Sequence, residues 1–164
     1  IIISISCSKE DNCENSIDCL PKITETGKGT FGCLVNGKAF IDNSGRFNCF
    51  YQKVDGEYYF HISGNNDNNK IGEISLGTIQ KEINAGETYE LKSPNEKNAS
   101  ASIFYPTTLK TYSTNNSYTG KLEIIKFDLQ KRIVSGTFEF DILNSQTGEI
   151  IKIRNGRFDS LFTR

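Results

Sequence analysis

The chain of 164 residues has no tryptophan, no methionine, a single histidine and three prolines. A translated chain starts with methionine, so the sequence is expected to begin downstream of its own initiation site. No segment approaches the roughly 20 consecutive apolar residues that span a bilayer. No run of one charge sign occurs: 19 basic and 20 acidic residues nearly cancel. Nucleic-acid grooves depend on a clustered cationic footprint, so that class of partner is not expected. The G-x-S-x-G, Walker and H-E-x-x-H patterns are missing too, and with them the usual sequence marks of hydrolases, nucleotidases and zinc proteases.

What is present points to strands. The chain is rich in asparagine, serine and threonine, with 14 glycines, which suits many short strands joined by polar turns. Eleven phenylalanines and seven tyrosines supply the bulk for a core. Asn36-Gly37 is a hairpin turn signal between Phe31–Val35 and Lys38–Ile41, and it sets Cys33 opposite Phe40 and Leu34 opposite Ala39. Asp55-Gly56 turns a second hairpin, with Tyr51 opposite Phe60 and Cys49 opposite Ile62 on an apolar face. Gln52–Tyr59 and Phe50–His61 then fall on the other face. Gly64 to Lys70 reads as a polar loop. Ile71–Leu76 and Thr88–Lys92 read as strands around an Asn84-Ala85-Gly86 turn. Ser102–Tyr105 is a strand stopped by Pro106, and Thr107 to Thr119 a loop with an edge strand.

The alternation is cleanest in Ile133–Ile142. Val134, Phe138, Phe140 and Ile142 face one way; Ser135, Thr137, Glu139 and Asp141 face the other. This strand follows Lys121–Phe127 through a turn at Asp128–Lys131. A last hairpin is expected at Asn155-Gly156, pairing Ile153 with Phe158 and setting Lys152 opposite Asp159. No stretch carries a helical period. The fold expected is all-β: an antiparallel sandwich of about ten strands built from hairpins, or a closed or partly open antiparallel barrel.

The N-terminus reads differently. Ile1-Ile2-Ile3-Ser4-Ile5-Ser6-Cys7 reads as the end of an export segment, and Ser6-Cys7 resembles the end of a bacterial lipobox. Ser4 stands where that pattern favours a branched aliphatic residue. The resemblance implies a diacylglyceryl group on the Cys7 thiol, whose buried methylenes contribute about 0.8 kcal/mol each to a durable anchor. Lys9-Glu10-Asp11 resembles the export signal of Bacteroidota surface lipoproteins. The expected organisation is a signal-peptide remnant over 1–6, a lipidated N-terminus and polar tether over 7–29, and one β domain over 30–164. Reserving Cys7 for lipid leaves Cys13, Cys19, Cys33 and Cys49, which allow three pairings in an oxidising compartment. A Cys19–Cys33 bridge would staple the chain's entry to the first strand, and Cys49 is expected to be a buried thiol.

Three blocks carry a resemblance to a family. They are Cys19-Leu20-Pro21 through Thr24-Glu25-Thr26-Gly27, then Thr30-Phe31-Gly32-Cys33-Leu34-Val35-Asn36-Gly37-Lys38, and the run from Gly120 to Phe158. The last block contains Ser135-Gly136-Thr137-Phe138-Glu139-Phe140 and continues into Asn155-Gly156-Arg157-Phe158-Asp159. Together they resemble a family of uncharacterised lipoproteins from Bacteroidota, defined as a domain of unknown function. The resemblance implies an exported lipoprotein with a β domain and brings no activity, cofactor or catalytic residue.

No catalytic constellation assembles. His61 shares its predicted face with Tyr59 and Glu57, and a general base needs a positioned nucleophile or acid beside it. Among the carboxylates, Glu139 and Asp141 share a wet face, which reads as solvated. Asp67 stands alone among the asparagines of its loop, too little charge for calcium. The spacing of the cysteines fits no zinc pattern, so no metal and no cofactor are expected. Asp159-Ser160-Leu161 matches a short O-glycosylation pattern, but inside a predicted strand. The reading is a non-enzymatic binding or structural accessory module of the outer membrane. It would be held by lipid at Cys7, exposed on the cell surface or facing the periplasm, and engage an unknown protein or glycan. Tyr105, Tyr112 and Tyr118 are candidate contact residues. A carrier of small apolar ligands with a barrel cavity is the alternative, though the G-x-W mark of lipocalin-like barrels is missing, and a hydrolase ranks last.

Overall fold

A computed structural model describes residues 17–46 and 48–164. After a single 3-10 turn at Ile17–Cys19 the chain is all-β. The strands are β1 (Thr30–Val35), β2 (Lys38–Ile41), β3 (Asn48–Val54), β4 (Glu57–Asn65), β5 (Glu73–Thr78) and β6 (Thr88–Leu91). They continue as β7 (Ala99–Tyr105), β8 (Lys110–Ser113), β9 (Gly120–Asp128), β10 (Ile133–Asn144) and β11 (Glu149–Leu161). All belong to one sheet, in the order β2-β1-β11-β10-β9-β6-β7-β5-β4-β3, with β8 on β7. The sheet curls into a half-barrel, the barrel-like form of the all-β fold expected. It is mixed, because β6 runs parallel to β7 while the other pairings between these strands are antiparallel.

Two hairpins form in the register that turn chemistry dictates. Asn36 and Gly37 have φ of 48° and 85°, and Asp55 and Gly56 have φ of 51° and 88°. These paired positive angles match the right-handed twist of the flanking strands. Cys33 faces Phe40, and Tyr51 faces Phe60. The third such dipeptide behaves otherwise. Asn155-Gly156 lies inside β11, which runs unbroken past both β1 and β10. Asn155 takes a φ of 53°, and the register slips by one residue against both neighbours, which makes a bulge. Ile153 therefore pairs with Phe140, Phe158 with Gly136, and Lys152 with Asp141 rather than Asp159. The Asn84–Gly86 turn likewise joins strands that do not pair: β5 bonds β4 and β7, whereas β6 bonds β7 and β9. The edge strand expected within 107–119 is β8, which pairs with β7 alone.

The concave side holds the core. Phe31, Phe60, Phe138, Phe140 and Phe158 are buried there, beside Ile62, Ile74, Leu122, Ile124 and Ile153. Phe31 lies 5.1 Å from Phe138, and Phe158 lies 6.4 Å from both Phe138 and Phe60, centroid to centroid. Three of these rings lie over glycines. A Cβ on Gly64 would come within 2.2 Å of Phe31, one on Gly156 within 2.3 Å of Phe138, and one on Gly136 within 2.8 Å of Phe158. At Gly64 and Gly156 a phenyl ring already fills the space of a side chain, and at Gly136 the Glu123 carbonyl oxygen, 2.3 Å from the same point, shares that role with the ring.

The two ends of the sheet meet at a seam. Past β11 the chain turns along β3, where Tyr51 N–H donates to Thr163 O (2.9 Å) and Thr163 N–H to Cys49 O (3.0 Å). Nearby, Asn43 N–H reaches Asn65 O, and the Asp42 carboxylate accepts Asn65 N–H at 2.9 Å, tying the end of β2 to the end of β4.

On the convex side, residues 20–29, read from the sequence as the end of the tether, form a strap over the sheet. Pro21 lies where a Cβ on Gly32 would otherwise sit. The Asp159 carboxylate, 1% exposed, gathers the strap. It accepts the Thr24 hydroxyl (2.6 Å) and the backbone N–H groups of Thr26 (3.0 Å), Gly27 (2.7 Å) and Lys28 (3.2 Å). Burial would raise the pKa of this acid; the donors outweigh burial and hold it below the usual carboxylate range. Two blocks of the family-like sequence, Thr24–Gly27 and Asn155–Asp159, thus meet at one carboxylate.

Candidate functional site

One end of the half-barrel is an open mouth of about 590 Å³. Its floor comes from strands that converge there. Tyr51 of β3 stacks on Tyr58 of β4 (centroids 5.2 Å apart) and meets Phe127 of β9 edge-on at 4.8 Å. Phe162 backs the group, 5.5 Å from Phe127. The hydrophobic lips are Val54 and Leu129, 49% and 47% exposed, with Ile83 between floor and rim. Polar groups ring the opening: Gln52, Lys53, Glu82, Asn84 and Arg164. Lys53 Nζ lies 4.9 Å from the centre of the Tyr58 ring, a cation–π contact. Arg164 donates to Leu129 O at 2.7 Å. Burial and the nearby Glu82 carboxylate push the Tyr51 phenol up to about 12, so it is neutral across the physiological range.

This geometry can hold a ligand with an apolar body and a polar end. Small-molecule sites commonly have this size and this mix of an apolar lining with a few polar groups. Among the described residues the mouth offers no paired nucleophile and base. His61 lies away from it on the convex face, stacked on Phe50 at 5.3 Å. Burial lowers its pKa, and among the described residues no side chain hydrogen-bonds its ring.

The residues singled out from sequence fall as follows. Cys7, Lys9, Glu10 and Asp11 lie outside the described residues, as does Cys13. Cys19 and Cys33 are both free thiols, so the expected bridge between them is not made. The reason is sidedness. Cys33 points into the core with Phe31, whereas the segment following Cys19 passes over the convex face at Gly32. Cys49 is the buried thiol expected, its pKa pushed up to about 12 by burial. Glu139 pairs with Lys121 (3.2 Å) and Asp141 with Arg154 (2.7 Å), so the two acids of the wet face are separately matched by cations. Asp67 pairs with Arg46. Asp128 caps its turn, accepting the N–H groups of Gln130 and Lys131. Ser160 of the Asp159-Ser160-Leu161 pattern is fully buried. Tyr105 is buried and meets Tyr112 edge-on at 5.8 Å, while Tyr118 N–H caps onto Asn115. These three tyrosines therefore lie apart from the mouth.

Sequence reasoning missed the mouth. It placed Tyr51 on an apolar face, which is where it lies, but had no means of bringing Ile83, Phe127 and Leu129 to it. The one local signal was that Lys53 and Tyr58 are cross-strand partners beside the Asp55-Gly56 turn.

Among known families, residues 48–161 match the one described as Domain of unknown function (DUF6252). No curated protein and no solved structure matches the chain. The matched stretch starts at β3 and runs through β11, so it takes in Tyr51, Tyr58, Phe127 and Leu129 together; the strap, β1 and β2 precede it.

Proposed function

The chain belongs to the DUF6252 family, and from that premise we propose that it is a membrane-tethered binding module, with the aromatic mouth as its contact site. The observation that carries the reading is the mouth itself: a cleft lined by three rings and three aliphatic side chains at the end of the β frame, its lips Val54 and Leu129 half exposed and its opening ringed by polar groups. An exposed apolar concavity of this kind marks an interaction site. The ring-filled interior favours a site at the mouth over a carrier with an internal barrel cavity. The position of His61, stacked on Phe50 away from the mouth and with no side chain hydrogen-bonded to its ring among the described residues, favours binding over hydrolysis.

The tether is proposed at Cys7, with Lys9, Glu10 and Asp11 directing the lipoprotein to the outer face of the outer membrane of a Bacteroidota cell. The domain would then act there as a binding or structural accessory module, with a protein, a glycan or a small molecule as its partner.

Two measurements test this. Mass spectrometry of the mature chain should find diacylglyceryl on Cys7, and external protease should reach the domain on whole cells. A bare thiol overturns the tether, and protection from protease puts the domain on the periplasmic side. A photo-crosslinker at position 129 should capture a ligand that one at position 148, in the distant β10–β11 turn, does not. Equal capture from both positions overturns the mouth as the contact site.

A further inference from the structure

The geometry points to a small amphipathic anion as the ligand of the mouth: an acyl or aryl body lying among Tyr51, Ile83, Phe127 and Leu129, with its acidic head at Lys53 and Arg164. This rests on the binding reading above and names its ligand class.

Three features carry it. The first is the lining. Val54, Ile83 and Leu129 line the cleft with the rings, and their side chains offer no hydrogen-bond partner. A hydrocarbon or aromatic body gains from contact with every one of them. A saccharide would bury hydroxyls against the same side chains and leave them unmet, which is costly.

The second is the charge at the rim. Lys53 and Arg164 are the cations that line the cleft, and among the described residues neither forms an ion pair: Lys53 lies over the Tyr58 ring, and Arg164 donates to a backbone carbonyl. With one acid, Glu82, in the same lining, the two cations leave the rim net positive and complementary to an anionic head.

The third is the orientation this imposes. Glu82 neighbours Tyr51 closely enough to act on its phenol. It lines the same cleft and would repel an anion placed beside it, so the head is held at Lys53 and Arg164 while the body lies among the rings. A free amphiphile and a lipid of a membrane leaflet share this chemistry.

The test compares probes of equal length and opposite charge. Decanoate, decylamine and maltotriose are titrated into the full chain by calorimetry, and vesicles of phosphatidylglycerol or phosphatidylcholine are tested by co-sedimentation. Decanoate is expected to bind at least tenfold more tightly than decylamine. Leu129→Glu, on an exposed lip, should weaken decanoate at least tenfold with the melting temperature unchanged. Lys53→Glu combined with Arg164→Glu should reverse the order of decanoate and decylamine. Co-sedimentation with phosphatidylglycerol alone, lost in that double variant, identifies the source as lipid; decanoate binding without co-sedimentation identifies a free amphiphile. Decylamine binding as tightly as decanoate, or decanoate binding undiminished in Leu129→Glu, overturns the inference. Maltotriose binding that Leu129→Glu abolishes, without decanoate binding, overturns it too while leaving the mouth as a binding site.

Discussion

The half-barrel carries two groups of aromatic rings that differ in what lies against them. In the interior, Phe31, Phe138 and Phe158 each press on a glycine of another strand, Gly64, Gly156 and Gly136 respectively. Ring and missing side chain fit one another, and no space remains. At the mouth, Tyr51, Tyr58 and Phe127 press on each other, and the lips stand half exposed. The same kind of residue closes one region and leaves the other open. The difference lies in the partner: a glycine opposite a ring makes a packed wall, and a second ring opposite a ring makes a platform.

The comparison is most sharply broken at Gly64. Gly64→Ala drives a methyl group into the root of the Phe31 ring and should destabilise the fold by about 3 kcal/mol, the upper range of overpacking. Thermal unfolding measures it, and Phe31→Leu in the same chain should recover part of the loss, because the two residues share one space. A double-variant loss equal to the sum of the two single-variant losses would show that ring and glycine are not coupled.

Asp159→Asn tests whether the convex wall depends on its strap as the interior depends on its rings. A buried carboxylate with four donors becomes a neutral amide, and a loss of about 2 kcal/mol is expected. The native chain should also be acid-sensitive in a way this variant is not. The folded-state pKa of Asp159 is lowered, so its contribution is complete above the unfolded-state value of about 3.9 and fades as pH falls through the folded value. Denaturant midpoints between pH 6 and pH 2 should converge for the two chains as the acid limit is approached.

At the mouth the expected costs shrink. Phe127→Ala removes a partly exposed ring and should cost about 1 kcal/mol, well below what the interior phenylalanines would lose. Leu129→Glu should leave stability within about 0.5 kcal/mol, as for other surface positions. A large loss there would mean that the lip is part of the packing and not an open edge.

What could be read in the sequence follows the range over which each interaction acts. Asn36-Gly37 and Asp55-Gly56 dictate their own hairpins because both residues of each turn need positive φ, and the register follows within a few residues. Asn155-Gly156 carries the same local signal and becomes a bulge, because β1 and β10 flank β11 on both sides and hold it straight. That outcome depends on partners more than a hundred residues away along β1. The alternation of β10 was legible for the same local reason as the hairpins, while the strap was not: nothing near Asp159 in sequence shows that Thr24, Thr26, Gly27 and Lys28 will surround it. The Cys19–Cys33 pairing failed on sidedness, which spacing does not reveal. The mouth is the extreme case, since β3, β9 and the loop at Glu82 meet only once the sheet has curled.

The seating of β1 between β2 and β11 has a consequence for the order of events during synthesis. β2 follows β1 at once, but β11, its other neighbour, leaves the ribosome only after more than a hundred further residues, and the strap's carboxylate is 135 residues from Thr24. The first hairpin must wait with one bare edge while the rest of the chain is made. Such long-separation pairings slow folding, and they leave the unfinished chain extended for longer. A chain that must pass through a translocase unfolded would gain from that delay.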